Sequence, residues 1–114
     1  MHKLPYSSYR TCGEFIFISG QLPVDLESGD ICGDIKTQTR NSLLNIKKIL
    51  SSLNLDIGSV VKTTVFLQDM KNFDAMNEVY ADFFANPYPA RSAFVVKELP
   101  KNALVEIEAI VYKG

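Results

Sequence analysis

The sequence predicts an α+β domain of element order β-(β)-α-β-α-β-β, a mixed sheet with two helices on one face. Three observations carry that prediction. Two stretches repeat apolar residues at spacings of three and four, the helical period. Four others are strand-length runs rich in β-branched and aromatic residues. Turn chemistry separates all of them, and 114 residues suffice for one domain, taken as 1–114.

Taken in order, the chain opens with Leu4-Pro5-Tyr6, where proline favours extended backbone before it, and runs to a turn at Cys12-Gly13-Glu14. This is the parenthetic strand. Phe15–Ser19 carries apolar residues on both faces, which marks an interior strand. Ser19-Gly20-Gln21-Leu22-Pro23 ends it, and residues 25–33 read as loop. Asp34 is a good N-cap for a helix whose stripe is Ile35, Thr39, Ser42/Leu43, Ile46, Ile49/Leu50 and Leu53, with Lys47 and Lys48 on the other side. After a turn at Asp56-Ile57-Gly58, the run Val60–Leu67 is a strand. Asn72 is expected to cap a second helix with Phe73, Met76, Tyr80, Phe83 and Phe84 on its apolar side, and Asn86-Pro87 breaks it. Two strands, Ser92–Val96 and Leu104–Tyr112, close the chain.

Side-chain alternation on the last strand puts Glu106 and Glu108 on one face with Leu104, Ile110 and Tyr112, while Val105, Ile107, Ala109 and Val111 make the other. Two helices cover only one face of a sheet, yet several strands are apolar on both. The sequence therefore implies an oligomer that packs sheet faces together, with the two glutamates near the seam. Buried carboxylates need partners, and Arg91, just after Pro89-Ala90, is the candidate.

Composition narrows the function classes. A net charge of −1 leaves no electrostatic footprint for nucleic acid or an anionic membrane. Two separated cysteines, Cys12 and Cys32, and a single histidine, His2, are too few for a zinc site, so no metal is expected. No apolar run spans a membrane and no signal-peptide core opens the chain, so the expectation is a cytoplasmic protein. No glycine-rich phosphate loop is present and no Ser/His/Asp set can be built, so neither a dinucleotide or nucleoside triphosphate site nor a catalytic triad is expected. What remains is a few polar groups. Arg91 is either a structural ion pair or a bidentate fork for a substrate carboxylate. Glu106 is either a solvated surface carboxylate or an acid/base group. Ser19 at a strand end suits hydrogen bonding, and Asn77 is either a solvated helix residue or one edge of a cleft. Composition and spacing stop at a small oligomeric α+β domain that binds a small acid.

Four ordered segments add to this: Ser19-Gly20-Gln21-Leu22-Pro23, Val61–Leu67, Phe73-x-x-Met76-Asn77-Glu78-Val79-Tyr80, and Pro89-Ala90-Arg91-Ser92 with Leu99-Pro100-Lys101 and Val105-Glu106-Ile107-Glu108-Ala109. Together they resemble the RidA/YjgF family of reactive-intermediate (enamine/imine) deaminases over nearly the whole chain. The resemblance implies a homotrimer of chorismate-mutase-like subunits with sites in the clefts between neighbours. It implies that Arg91 binds the substrate carboxylate and that Glu106 positions or activates the attacking water. Tyr6, Ser19 and Asn77 would line the pocket, and Ala93 would offer its backbone amide. The implied reaction is hydrolysis of 2-aminoacrylate and related 2-imino acids to 2-keto acids and ammonia, without a cofactor. Family members commonly carry Gly-Pro-Tyr where this chain has Leu4-Pro5-Tyr6, and several have cysteine at Ala93, so no thiol chemistry is available at that position. Competing readings are a non-catalytic trimer that binds 2-keto acids, an RNA-acting protein, against which the missing basic stripe argues, and a pure assembly protein.

Overall fold

The computed structural model describes residues 4–114, so His2 lies outside the described residues. The elements are β1 (Tyr9–Cys12), β2 (Phe15–Gln21), α1 (Ile35–Ser52), β3 (Val60–Leu67), α2 (Phe73–Phe83), β4 (Ala90–Val95) and β5 (Val105–Tyr112). They form the α+β architecture read from the sequence: one five-stranded mixed sheet in the order β1-β2-β5-β3-β4, with both helices packed on one face. β1/β2, β2/β5 and β3/β5 are antiparallel, whereas β3/β4 is parallel because the α2 crossover returns the chain in the same direction. The last two strands, consecutive in the chain, are thus not neighbours. β3 lies between them, which leaves β4 at the sheet edge and β5 near its centre.

Alternation on β5 is as expected. Val105, Ile107, Ala109 and Val111 are buried, while Glu106 and Ile110 are half-exposed and Glu108 and Tyr112 exposed. The buried set meets Ile16 and Ile18 of β2, Val65 and Leu67 of β3, Leu43, Ile46 and Leu50 of α1, and Met76 and Tyr80 of α2. Asp34 caps α1, its Oδ1 accepting from the Thr37 amide at 2.9 Å. α1 also buries polar groups that apolar periodicity does not reveal. Gln38 donates to the Gly33 carbonyl (3.0 Å) and accepts from the Leu104 amide (2.9 Å), and Asn45 donates to the carbonyls of Leu22 and Val24 (3.2 and 2.9 Å). These bonds satisfy the backbone of a loop that has no ladder of its own.

Asn72 holds the N-cap position of α2, as expected, but makes no side-chain cap bond; Asp69 caps the 3₁₀ turn Met70–Asn72 that precedes the helix, its Oδ1 accepting from the Lys71 amide at 2.8 Å. Asn72, at φ −90° and ψ 0°, already belongs to that turn and has lost the extended backbone a capping side chain needs. The face of the sheet away from the helices is uncovered in the single chain. Phe15, Phe17, Phe94 and Tyr112 stand on it between 43 and 55 % exposed, with the Phe15 and Tyr112 rings 5.2 Å apart.

Candidate active site

Arg91 stands near the start of the edge strand, in register with Thr63, which is buried under α2. Its side chain therefore turns to the helix side, where one face of α2 receives it. Nη1 donates to Asn77 Oδ1 at 2.6 Å and passes 3.9 Å from Met76 Sδ. The guanidinium carbon lies 4.8 Å from the Tyr80 ring centre and 5.7 Å from that of Phe73. No carboxylate lies within ion-pair distance of Arg91 among the described residues, where the recorded salt bridge is Lys36–Glu78 at 2.7 Å on the surface. The guanidinium is held by rings and an amide, with no opposing charge. Asn77, Tyr80, Ala81, Tyr88, Pro89 and Arg91 line a small cavity of about 230 Å³ at this point.

Ala93 is in register with Val65 and packs partly against the core. The Val96 amide donates to the Leu67 carbonyl at 2.9 Å, and amide direction alternates along a strand. The amides of Arg91 and Ala93 accordingly turn away from β3, to the open edge of the sheet. Asn77, Arg91 and Ala93 form one group.

Glu106 belongs to another. It is in register with Phe66, on the face opposite Thr63, so Arg91 and Glu106 point to opposite sides of the same sheet. Within one chain Arg91 does not pair with either glutamate. The Glu106 carboxyl rests against the backbone of Gly20, where an added β-carbon would lie 2.8 Å from Oε2. Burial pushes the Glu106 carboxyl above the usual glutamate range, and the like charge of Glu108 adds to the shift. The strand that presents Gly20 is irregular: its register with β5 shifts between Ile18 and Gln21, as at a β-bulge.

Ser19, next to Gly20 in the chain, and Tyr6 line a neighbouring cavity. Ser19 Oγ donates to the Ser7 carbonyl at 2.6 Å, and its amide donates to the Ser8 carbonyl at 2.9 Å. The hydroxyl proton is committed to the fold, so toward a ligand this oxygen is an acceptor. Tyr6 is 63 % exposed and lines a cavity of about 390 Å³ on the open face with Arg10, Phe17, Ser19, Glu108 and Ile110. The expected site residues fall in two places: Asn77 and Arg91, with Ala93 two residues along the strand, at the helix side of the edge strand, and Glu106 on the uncovered face, where the acid lining the Tyr6 and Ser19 cavity is Glu108. The sequence reading missed Gly20 as a contact of Glu106, and Phe73, Met76 and Tyr80 as contacts of Arg91. The spacing 73, 76, 77, 80 was legible as a helix face, but apolar residues at that spacing read equally as core.

Fold and side-chain placement mark a class: a small α+β protein with an arginine packed against aromatic rings at a sheet edge and a half-buried carboxylate near the sheet centre. A family model described as Endoribonuclease L-PSP matches residues 2–113. A RutC family protein of Pyrococcus horikoshii is 52 % identical over 110 residues, spanning 96 % of this chain and 87 % of that protein. A Salmonella typhimurium protein named 2-iminobutanoate/2-iminopropanoate deaminase is 40 % identical over 112 residues, spanning 96 % of this chain and 88 % of that one. The crystal structure of E. coli TdcF with bound serine superposes with a TM-score of 0.92 at 40 % identity, covering 99 % of this chain and 91 % of that chain. The chain belongs to the RidA/YjgF family, whose members include proteins named as reactive-intermediate deaminases. Among the described residues no helix is long and apolar enough to cross a membrane.

Proposed function

We propose that this protein hydrolyses reactive 2-imino acids, 2-aminoacrylate among their enamine precursors, to 2-keto acids and ammonia. The sites would form between copies in a homotrimer, the Arg91 group of one subunit facing the Glu106 group of the next. The observation that carries the reading is the Arg91 guanidinium, held by Asn77 and two aromatic rings with no carboxylate partner among the described residues. A fork so arranged suits a ligand carboxylate, with the free-edge Ala93 amide beside it. The uncovered apolar face supports assembly, and the names of the relatives support the reaction class.

The reaction asks little of the protein. A protonated imine is a strong electrophile, so holding it and aiming a water supply most of the acceleration. Arg91 takes the carboxylate. Glu106, as carboxylate, accepts a proton from water while the water oxygen bonds to the imine carbon and the C=N π pair moves to nitrogen. The resulting amino alcohol receives the proton from Glu106 at nitrogen; the C–N bond then breaks to release ammonia as the C=O bond forms, and the regenerated Glu106 carboxylate takes the hydroxyl proton, which leaves on ammonia. A carboxyl raised above its ordinary range is the stronger base for the first step and still gives the proton back.

The test is an imine-release assay in which a pyridoxal-phosphate-dependent dehydratase generates the imine and semicarbazide competes for it. Wild type should accelerate keto-acid release, and Arg91→Ala and Glu106→Gln should abolish the acceleration. No acceleration by folded wild-type protein would overturn the enzyme reading and leave a keto-acid-binding module.

A further inference from the structure

On the reading of Arg91 as a carboxylate clamp, we propose that Tyr80 is the residue that positions the clamp, its ring fixing the guanidinium plane while its hydroxyl locks the ring to β3. Arginine brings a long, freely rotating stem to an edge strand, where no acid is placed to hold it. Four residues of α2 do so instead: Phe73, Met76, Asn77 and Tyr80, at the spacings that put side chains on one helix face. Asn77 takes one nitrogen of the fork. Of the two rings Tyr80 is the nearer, its centre 4.8 Å from the guanidinium carbon, within the range of a cation–π contact.

The ring itself has no freedom to follow the arginine. Tyr80 is only 5 % exposed, shares a 2.6 Å hydrogen bond with Thr63 Oγ1, and packs against the Phe84 ring at 4.8 Å between centres, tilted by 50°. Thr63 is the residue in register with Arg91 across the β3/β4 pair. Strand, threonine, tyrosine ring and guanidinium therefore close a loop of contacts in which each member fixes the next. The hydroxyl is occupied by Thr63, so Tyr80 positions a neighbour and does not itself reach the reacting atoms. Its two halves have separable roles: the oxygen serves the fold, the ring serves Arg91.

That separation makes the test. The ligand-free protein is examined by nitrogen–proton NMR at the Arg91 Nε–Hε group, assigned by its loss in Arg91→Lys, and affinity for 2-oxobutanoate is measured by titration calorimetry. Urea unfolding is followed in parallel. Tyr80→Phe should lower the unfolding midpoint yet leave the Arg91 signal and the 2-oxobutanoate affinity within about twofold of wild type, since the ring contact remains. Tyr80→Leu should remove the ring-current shift and the ordering of Arg91 and weaken 2-oxobutanoate about five- to thirtyfold. An Arg91 signal unchanged in Tyr80→Leu overturns the proposal, as does an affinity that falls equally in Tyr80→Phe and simply follows stability. Wild-type protein that binds no 2-oxobutanoate strikes the clamp reading itself, and the ligand-free Arg91 signal then still decides the role of Tyr80.

Discussion

Gly20 and Glu106 touch across the β2/β5 pair so closely that a β-carbon at position 20 would come 2.8 Å from Glu106 Oε2. The group it would meet is the end of a flexible side chain, so the glutamate swings aside at small cost to the fold. Gly20→Ala is therefore expected to fold with a melting temperature within a few degrees of wild type, corresponding to roughly 1 kcal/mol or less. Its kcat for imine hydrolysis should fall about tenfold or more with little change in KM, because a misplaced base costs chemistry more than binding. Unchanged kcat would mean that the carboxylate position seen here is not the working one.

The Glu106 carboxyl is raised by burial and then by the charge of Glu108, and both effects leave a signature in pH. The acid limb of kcat/KM is expected above the ordinary glutamate range, with activity rising as Glu106 ionises. Glu108→Gln removes the like charge and should move that limb to lower pH. The stability linkage has the same origin. A carboxyl raised in the folded state contributes stability that is complete below its unfolded pKa and is lost as pH rises through the raised value. Glu106→Gln should thus unfold like wild type near about pH 4 and become the more stable of the two at neutral pH. Urea midpoints at the two pH values check the sign.

Arg91→Lys is expected to behave nearly as badly as Arg91→Ala. Lysine keeps the charge but loses the planar fork and the stacking on Tyr80 and Phe73. The loss of a charge-assisted bidentate contact is worth about 1.5–3 kcal/mol, roughly tenfold to over a hundredfold in kcat/KM. Steady-state rates on the same imine distinguish this from a mere requirement for positive charge, which lysine would meet.

Thr63→Val leaves the buried Tyr80 hydroxyl without its partner at nearly constant volume. An orphaned buried hydroxyl costs about 1–3 kcal/mol, so the urea midpoint should drop while the denaturant slope stays fixed. A neutral result would show that water reaches the tyrosine oxygen.

How far the sequence carried depends on which force fixed each feature. Periodicity located both helices and the four main strands, because burial of one face dictates the spacing of apolar residues. The alternation Val105-Ile107-Ala109-Val111 against Glu106-Glu108 came through intact for that reason. Sheet order did not. The sequence shows that the last two strands are consecutive, but their separation by β3 follows from a parallel crossover that no local residue announces. The α2 cap was placed at the right residue, but Asn72 makes no cap bond, because the 3₁₀ turn capped by Asp69 fixes its backbone first. At the candidate site, Arg91, Glu106, Ser19 and Asn77 were singled out from local chemistry and given roles by the family resemblance, while Tyr6 and Ala93 came from the resemblance alone. Their division between two faces needed register: Arg91 opposite Thr63, Glu106 opposite Phe66. Tyr80 stayed hidden because a tyrosine on an apolar stripe reads as core, and half of it is.

The placement of Arg91 and Glu106 on opposite sides of one sheet reaches into genetics. If every working centre borrows its arginine from one subunit and its carboxylate from the next, Arg91→Ala and Glu106→Gln damage different halves and need not be additive. Two dead proteins, unfolded together and refolded as a mixture, would regain about a quarter of the wild-type centres by random assortment, each rebuilt from the sound half of either parent. In a cell carrying both alleles, each defect would be partly covered by the other.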